Sequence, residues 1–182
     1  QALRKSDHIA EVFPVGLGSS EKSASLNLCR KPTVSSFLHP LNSFLSRFPD
    51  VNRFDVISQE TMKLSTLDIC LKDRNQDCDF IKIDTQGTEF AILKGGDIFL
   101  DGPIIGLEVE VEFVRIYERQ NLFGDVCLKL ESKGYEFFDF VNICRWERER
   151  LSLFGQAVFG DGVFLRSPEN FSEMLASLPA DV

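Results

Sequence analysis

The chain has one tryptophan, two tyrosines and two histidines against seventeen phenylalanines. Its core must therefore be filled by apolar rings, and few imidazoles are on hand for metal binding or proton transfer. Cysteine is present but unorganised. Cys29, Cys70, Cys78, Cys127 and Cys144 are odd in number and form no C-x-x-C pair, which leaves reduced thiols in the core of a cytoplasmic protein as the expectation. Cys78 between Asp77 and Asp79 comes nearest to a metal group, but no histidine stands close to it in sequence, so no metal site is expected. Basic residues are in deficit: 20 Lys and Arg face 28 Asp and Glu. Nucleic acids and anionic membranes demand clustered cations, so neither is an expected partner, and a neutral or cationic small molecule is easier to hold. No run approaches the roughly 18 apolar residues that span a bilayer, and no signal-peptide pattern opens the sequence. A glycine-rich phosphate turn is missing too. Gly16-Leu17-Gly18 lacks the third glycine, and residues 23–28 after it alternate like a strand instead of opening a helix.

What remains is an ordinary globular composition long enough for one domain. Its most informative stretch is residues 79–96, which read as strand, turn and helix. Phe80, Ile81 and Ile83 form an apolar run suited to the middle of a sheet covered on both faces. Lys82 interrupts it and requires a carboxylate partner or a path to water. Asp84, Thr85, Gln86 and Gly87 make the turn. Thr88 is placed to cap a helix whose first turn carries Glu89, whose buried stripe includes Phe90 and Leu93, and which ends at Gly95-Gly96. In an open parallel sheet ligands bind beyond the carboxyl ends of the strands, so residues 84–89 would stand at the mouth of a site.

The string Ile81-Lys82-Ile83-Asp84-Thr85-Gln86-Gly87-Thr88-Glu89, followed by Ile92-Leu93-Lys94-Gly95-Gly96, resembles the signature block of the FkbM-type methyltransferases. Ser65-Thr66-Leu67-Asp68 upstream resembles that family's lead into the block. Residues 104–110 downstream resemble its next strand, and residues 161–166 its closing strand. The likeness spans roughly residues 10–167. It implies a single domain over residues 1–182, α/β in class, with a Rossmann-like, doubly wound, mainly parallel sheet and an antiparallel strand near the C-terminus. It also implies S-adenosylmethionine as cofactor and O-methylation of a hydroxyl on a sugar or natural-product acceptor. By the same likeness Leu17 and Gly18 lie near the adenine end of the cofactor, with Asp84 and Thr85 beside it.

The first residue is Gln1, and the first βαβ unit of such a fold, with its glycine-rich turn and ribose-holding acid, is not found in the sequence. The 182 residues thus read as the C-terminal portion of the domain, expected to bind the cofactor weakly and to be inactive alone. A non-catalytic Rossmann-like interaction domain that has lost cofactor binding stands as the alternative.

In chain order, residues 10–17 read as a strand, with Pro14 favouring an edge, and residues 18–22 as a hairpin turn. Residues 30–53 read as a loop over a substrate, with a turn or two of helix at 41–48. It contains His39, a candidate base but more simply an exposed imidazole. Strand character resumes over 54–64, and Thr66 caps a short helix. In the strand over 104–111 and its extension, Glu108, Glu110 and Glu112 alternate with apolar residues, which puts the three carboxylates on one side about 7 Å apart. Either they emerge into solvent, balanced by Arg115 and Arg119, or they face the crevice. The resemblance favours the crevice for Glu108, with Glu110 beside it, as substrate-binding groups. Residues 118–133 read as a helix and 135–141 as a strand. Residues 145–150 read as a solvated connection, and 157–166 as a strand interrupted at Gly160-Asp161-Gly162, before a helix from Pro168. Asp84, Glu89 and His39 are the candidate catalytic groups.

Overall fold

The computed structural model describes residues 12–72, 78–148 and 154–177. It is a mixed α/β structure with two sheets. The first has strand order β1-β3-β2, from β1 (Gly16–Leu17), β2 (Lys22–Cys29) and β3 (Val56–Ser65). The alternation in residues 23–28 is a strand as expected, but the turn before it is not a hairpin. β1 runs parallel to β3 and β2 lies antiparallel on the far side of β3, so β1 and β2 never pair. Gly18 N–H donates to Ser65 O at 2.9 Å, which holds the chain to β3 as it leaves β1. Of the strand expected over 10–17 only Gly16–Leu17 is paired; residues 10 and 11 lie outside the described residues.

The second sheet has order β4-β5-β7-β6, from β4 (Phe80–Ile83), β5 (Gly106–Glu112), β6 (Tyr135–Trp146) and β7 (Gln156–Arg166). β4 is parallel to β5, while β7 is antiparallel to both β5 and β6. Three strands therefore point one way and β7 opposes them. The apolar run at β4 was expected in the middle of a sheet. It lies instead at the edge of this one, with Phe80 47% exposed.

Among the described residues there are six α-helices, all short: α1 (Asn42–Leu45), α2 (Leu67–Cys70), α3 (Glu89–Lys94), α4 (Asp97–Leu100), α5 (Phe123–Glu131) and α6 (Pro168–Ser177). Thr66 caps α2 as its sequence predicts, accepting from Ile69 N–H at 3.2 Å. α5 starts five residues later than the apolar spacing indicates. Arg119 adopts a left-handed φ of 57°, and the Gln120 carboxamide accepts from Ile116 and Tyr117 N–H, so a tight turn occupies the expected first helical turn.

Two apolar cores follow. The larger packs Ile83, Ile92, Leu93, Leu107, Val109 and Phe164 between sheet and helices, and the smaller packs Phe44, Phe48, Phe54, Ile116, Tyr117 and Val158 under the long β2–β3 connection. Trp146 closes the second. The stretch taken as a solvated connection from its alternating charges begins as strand, with Arg145 paired to Ala157 and Trp146 to Gln156. Trp146 is the one uncharged residue of that stretch and turns to the covered face of the strand, its ring 5.4 Å from Phe48 and 6.0 Å from Phe54. β7 runs unbroken through residues 160–162; two of its three register shifts with β6 place the extra residue in β6, and the third, at Val158, in β7. Gly160 is needed because a Cβ there would stand 2.6 Å from Asn142 O.

Arg166, at the end of β7, ties the connection into β5 together. Its guanidinium donates to Leu100 O, Gly102 O, Ile104 O, Lys133 O and the Tyr135 hydroxyl, at 2.7 to 3.2 Å. Replacing it with leucine would leave several of these acceptors unpaired, each such loss costing about 1–3 kcal/mol. Arg166→Leu is therefore expected to destabilise the fold by at least about 3 kcal/mol, read as a shift in the midpoint of urea unfolding.

Candidate functional site

The turn after β4 is shaped by a carboxylate. Glu89 opens α3, but its side chain folds back, and Oε1 accepts from Thr85 N–H at 2.8 Å, Thr85 Oγ1 at 3.1 Å and Gly87 N–H at 3.1 Å. These donors hold Gln86 at φ 59° and Gly87 at φ 95°. A side chain at Gly87 would also collide, since its Cβ would lie 2.7 Å from Gln120 Nε2 and 3.0 Å from the Tyr117 ring. The Thr88 side chain, expected as the helix cap, donates to Thr85 instead. Glu89 is 2% exposed, and burial pushes its carboxyl pKa up against the opposing pull of those donors. It stands among the candidate catalytic groups, but the structure employs its carboxylate in fixing the turn.

From the turn the Gln86 side chain reaches across to the next strand. Its Nε2 donates to Glu110 at 3.1 Å, its Oε1 accepts from the Tyr117 hydroxyl at 3.3 Å, and its backbone carbonyl accepts from Ser36 Oγ at 2.7 Å. Asp84, one residue beyond β4, is exposed.

The three glutamates of β5 share a face, as their period dictates, yet their environments differ. Glu108 pairs with Lys82, its register partner on β4, and Lys82 also stands 3.7 Å from Asp161. This supplies the carboxylate that Lys82 requires, and the hydrogen bond to Glu108 raises the lysine pKa. Glu110 and Glu112 are 7% and 4% exposed with no cation paired to either among the described residues. Burial, followed by the charges of Asp84, Glu89 and Asp161, pushes the Glu110 carboxyl up to about 8. Burial, with Glu89 and Glu110 beside it, pushes Glu112 up to about 10. At neutral pH both are carboxylic acids able to donate as well as accept hydrogen bonds. Glu89, Glu110 and Glu112 bring carboxylate oxygens within 4.8 Å of one another, a spacing a cation could bridge, although Glu89 Oε1 already serves three donors.

Glu110 and Glu112 open on a cavity of about 350 Å³ whose other walls are Gln86, Phe54, Tyr117 and Trp146, with Lys31 and Arg53 also bordering it. The Arg53 guanidinium stacks 5.1 Å from the Phe54 ring centre and 4.8 Å from that of Trp146. His39 is elsewhere. It is exposed and lines a separate depression with Pro40, Asn42 and Glu118, which has only Phe54 in common with the first. Leu17 packs half-buried against the main core. Gly18 is buried, its N–H bonded to Ser65 and its carbonyl tight against Gly95, where a Cβ would be 2.1 Å away. Thr85 stays exposed beside Asp84, its N–H and hydroxyl both turned to Glu89. The structure thus gathers Asp84, Thr85, Glu89, Glu108 and Glu110 around one strand end and leaves His39 apart. It adds Gln86, Glu112, Tyr117 and Trp146. Glu112 was visible in the alternation, whereas Tyr117 and Trp146 carry no local signal.

The two buried acids give stability a pH dependence of definite sign. Unfolded, both ionise near 4.5; folded, they hold their protons to about 8 and about 10. The folded state therefore binds more protons across that window, and stability present in mild acid is lost as pH rises through 8 and on toward 10. Asp97, lowered by Lys129 and Lys133, acts only below the usual carboxylate range. The melting temperature is expected to fall between about pH 5 and pH 9. Glu112→Gln, which keeps the shape without the charge, should flatten the decline, as thermal melts across that range will measure.

All five cysteines are unpaired, and no helix of the described residues is long and apolar enough to cross a membrane. No curated protein and no solved structure is found to match the chain. One family model does: the methyltransferase FkbM domain matches residues 2–137, well over half the sequence. That span takes in the turn after β4, Glu108, Glu110, Glu112 and Tyr117, and lends no support to a purely non-catalytic reading. On this match, the chain belongs to the FkbM methyltransferase family.

Proposed function

We propose that the protein methylates a hydroxyl oxygen, using S-adenosylmethionine as donor and a sugar or related natural product as acceptor. The observation that carries this reading is the position of Asp84. It is solvent-facing at the carboxyl end of β4, directly before the turn that Glu89 holds, and that turn reaches through Gln86 to Glu110 and the adjoining cavity. The donor chemistry suits a sulfonium. An exposed carboxylate followed by a hydroxyl, Asp84 and Thr85, with Asp161 contributing to the same acidic field, favours a cationic centre over an anionic one.

S-Adenosylmethionine, when bound, supplies an electrophilic methyl carbon whose bond to sulfur breaks as the bond to oxygen forms, the electron pair leaving with the thioether. The chain's own part is alignment, exclusion of water and removal of one proton. Asp84 is the group we assign to accept the hydroxyl proton or to fix the donor beside it. Glu89 is a positioning residue, because its carboxylate is spent on Thr85 and Gly87. Glu108, neutralised by Lys82, shapes the far edge of the site. His39, exposed in a separate depression, has no place in this scheme.

We also infer that the open edge of β4 takes a further parallel strand, completing a Rossmann-like sheet whose first unit carries the glycine-rich turn. The half-exposed Phe80 on that edge supports this. Binding of S-adenosylmethionine by these 182 residues alone is then expected to be weak, and calorimetry beside a chain extended by such a unit checks it; equally tight binding by both would remove the inference. In an active form, Asp84→Asn should lower kcat by about 10²-fold or more with an unchanged melting curve. Full turnover by that variant would take Asp84 out of the chemistry.

A further inference from the structure

β6 is the outer strand of its sheet, paired on one side with β7 and with no strand among the described residues on the other. The additional unit placed on β4 lies at the opposite edge of the sheet and leaves β6 open. Unpaired strand edges recruit other strands unless they are kept short, carry proline or lysine, or are twisted away by bulges. β6 runs 12 residues, Tyr135–Trp146, and contains neither proline nor lysine. It does contain bulges, at Phe138 and Val141, each an extra residue without a partner of its own on β7. A bulge re-aims a side chain. Phe137 and Phe140, beside the bulges, pack on the Phe123 ring at 5.1 and 5.3 Å, whereas Phe138 and Val141 are 72% and 67% exposed. The bulges thus present two apolar side chains along an open backbone edge instead of shielding that edge with charge.

We propose that β6 pairs antiparallel with β6 of a second copy of the chain, about a twofold axis near Val141, so that one sheet runs continuously through a dimer. The order of charges along the strand selects this occupant. Exposed Glu136 and Asp139 precede Val141, and exposed Arg145 follows it. A parallel copy would set acid beside acid. An antiparallel copy sets the acidic half of each strand against the arginine of the other, the self-complementarity that a twofold interface requires. The same axis brings Val141 against its own counterpart and Phe138 toward the half-exposed Ile143 of the partner subunit, so the apolar groups left open in one chain cover one another in two. The open N–H and C=O groups along the edge are paired at the same time. The inference concerns assembly and stands apart from the assignment of Asp84.

Sedimentation equilibrium of the 182-residue chain is expected to show a closed monomer–dimer equilibrium, mostly dimer at about 50 µM. Hydrogen exchange of the amides of β6 should slow as concentration rises, while that of β2, at the edge of the other sheet, stays constant. Val141→Lys and Phe138→Glu change exposed side chains and should each raise the dimer Kd at least about tenfold, with the far-ultraviolet circular dichroism unchanged. Ile57→Glu, at a position 63% exposed on β3, should leave the dimer intact. Glu136→Lys and Arg145→Glu should each weaken the dimer, and the two together should restore it, which separates twofold strand pairing from simple apolar adhesion. A monomer at about 50 µM, open-ended aggregation, an undiminished dimer in Val141→Lys, equal loss in Ile57→Glu, or no restoration by the double charge exchange would each overturn the assignment.

Discussion

The turn between β4 and α3 depends on one buried carboxylate. Thr85 and Gly87 present backbone N–H groups toward the interior, and Gln86 and Gly87 adopt left-handed angles that an L-residue at Gln86 does not choose freely. Glu89 Oε1 gathers those donors, together with the Thr85 hydroxyl, and so turns a strained peptide into a fixed one. Without that anchor Gln86 would have no reason to point at Glu110, and Asp84 would be displayed from a loose loop.

From this anchor the structure spreads in two directions. Toward solvent it sets Asp84 at the strand end. Toward the interior it brings Gln86 between Glu110 and Tyr117, and so joins the larger core under the sheet to the smaller one beneath the β2–β3 connection. The carboxylates of β5 divide along the same line. Glu108 has Lys82 and remains near water, while Glu110 and Glu112 run into the seam between the cores and are held neutral there. A strand with strict alternation thus carries an ion pair at one end and uncharged acids at the other, because what lies opposite each residue changes along its length.

Much of this was legible beforehand. The strand–turn–helix of residues 80–94, the Thr66 cap, the carboxylate partner for Lys82 and the opposed direction of β7 all follow from short-range pattern or from resemblance to a known signature. The failures share a cause. Residues 145 and 146 look solvated because alternating charge is common on exposed connections, and only the ring cluster of Phe48 and Phe54 reveals one face as covered. α5 starts late because a side chain, Gln120, takes over backbone N–H groups that helical spacing assigns to the helix. Thr88 looks like a cap because threonine at the head of a helix usually caps it, but its hydroxyl donates to Thr85 across the turn.

Sequence by itself determined the α/β class, the family, the turn at residues 84–87 and the shared face of Glu108, Glu110 and Glu112, since periodicity and glycine chemistry are local properties of the chain. Tertiary structure decided which of those carboxylates are charged, that His39 stands apart, and that Tyr117 and Trp146 meet Glu112 across a cavity. Burial and long-range packing set protonation and proximity, and neither is written in the residues adjacent in sequence.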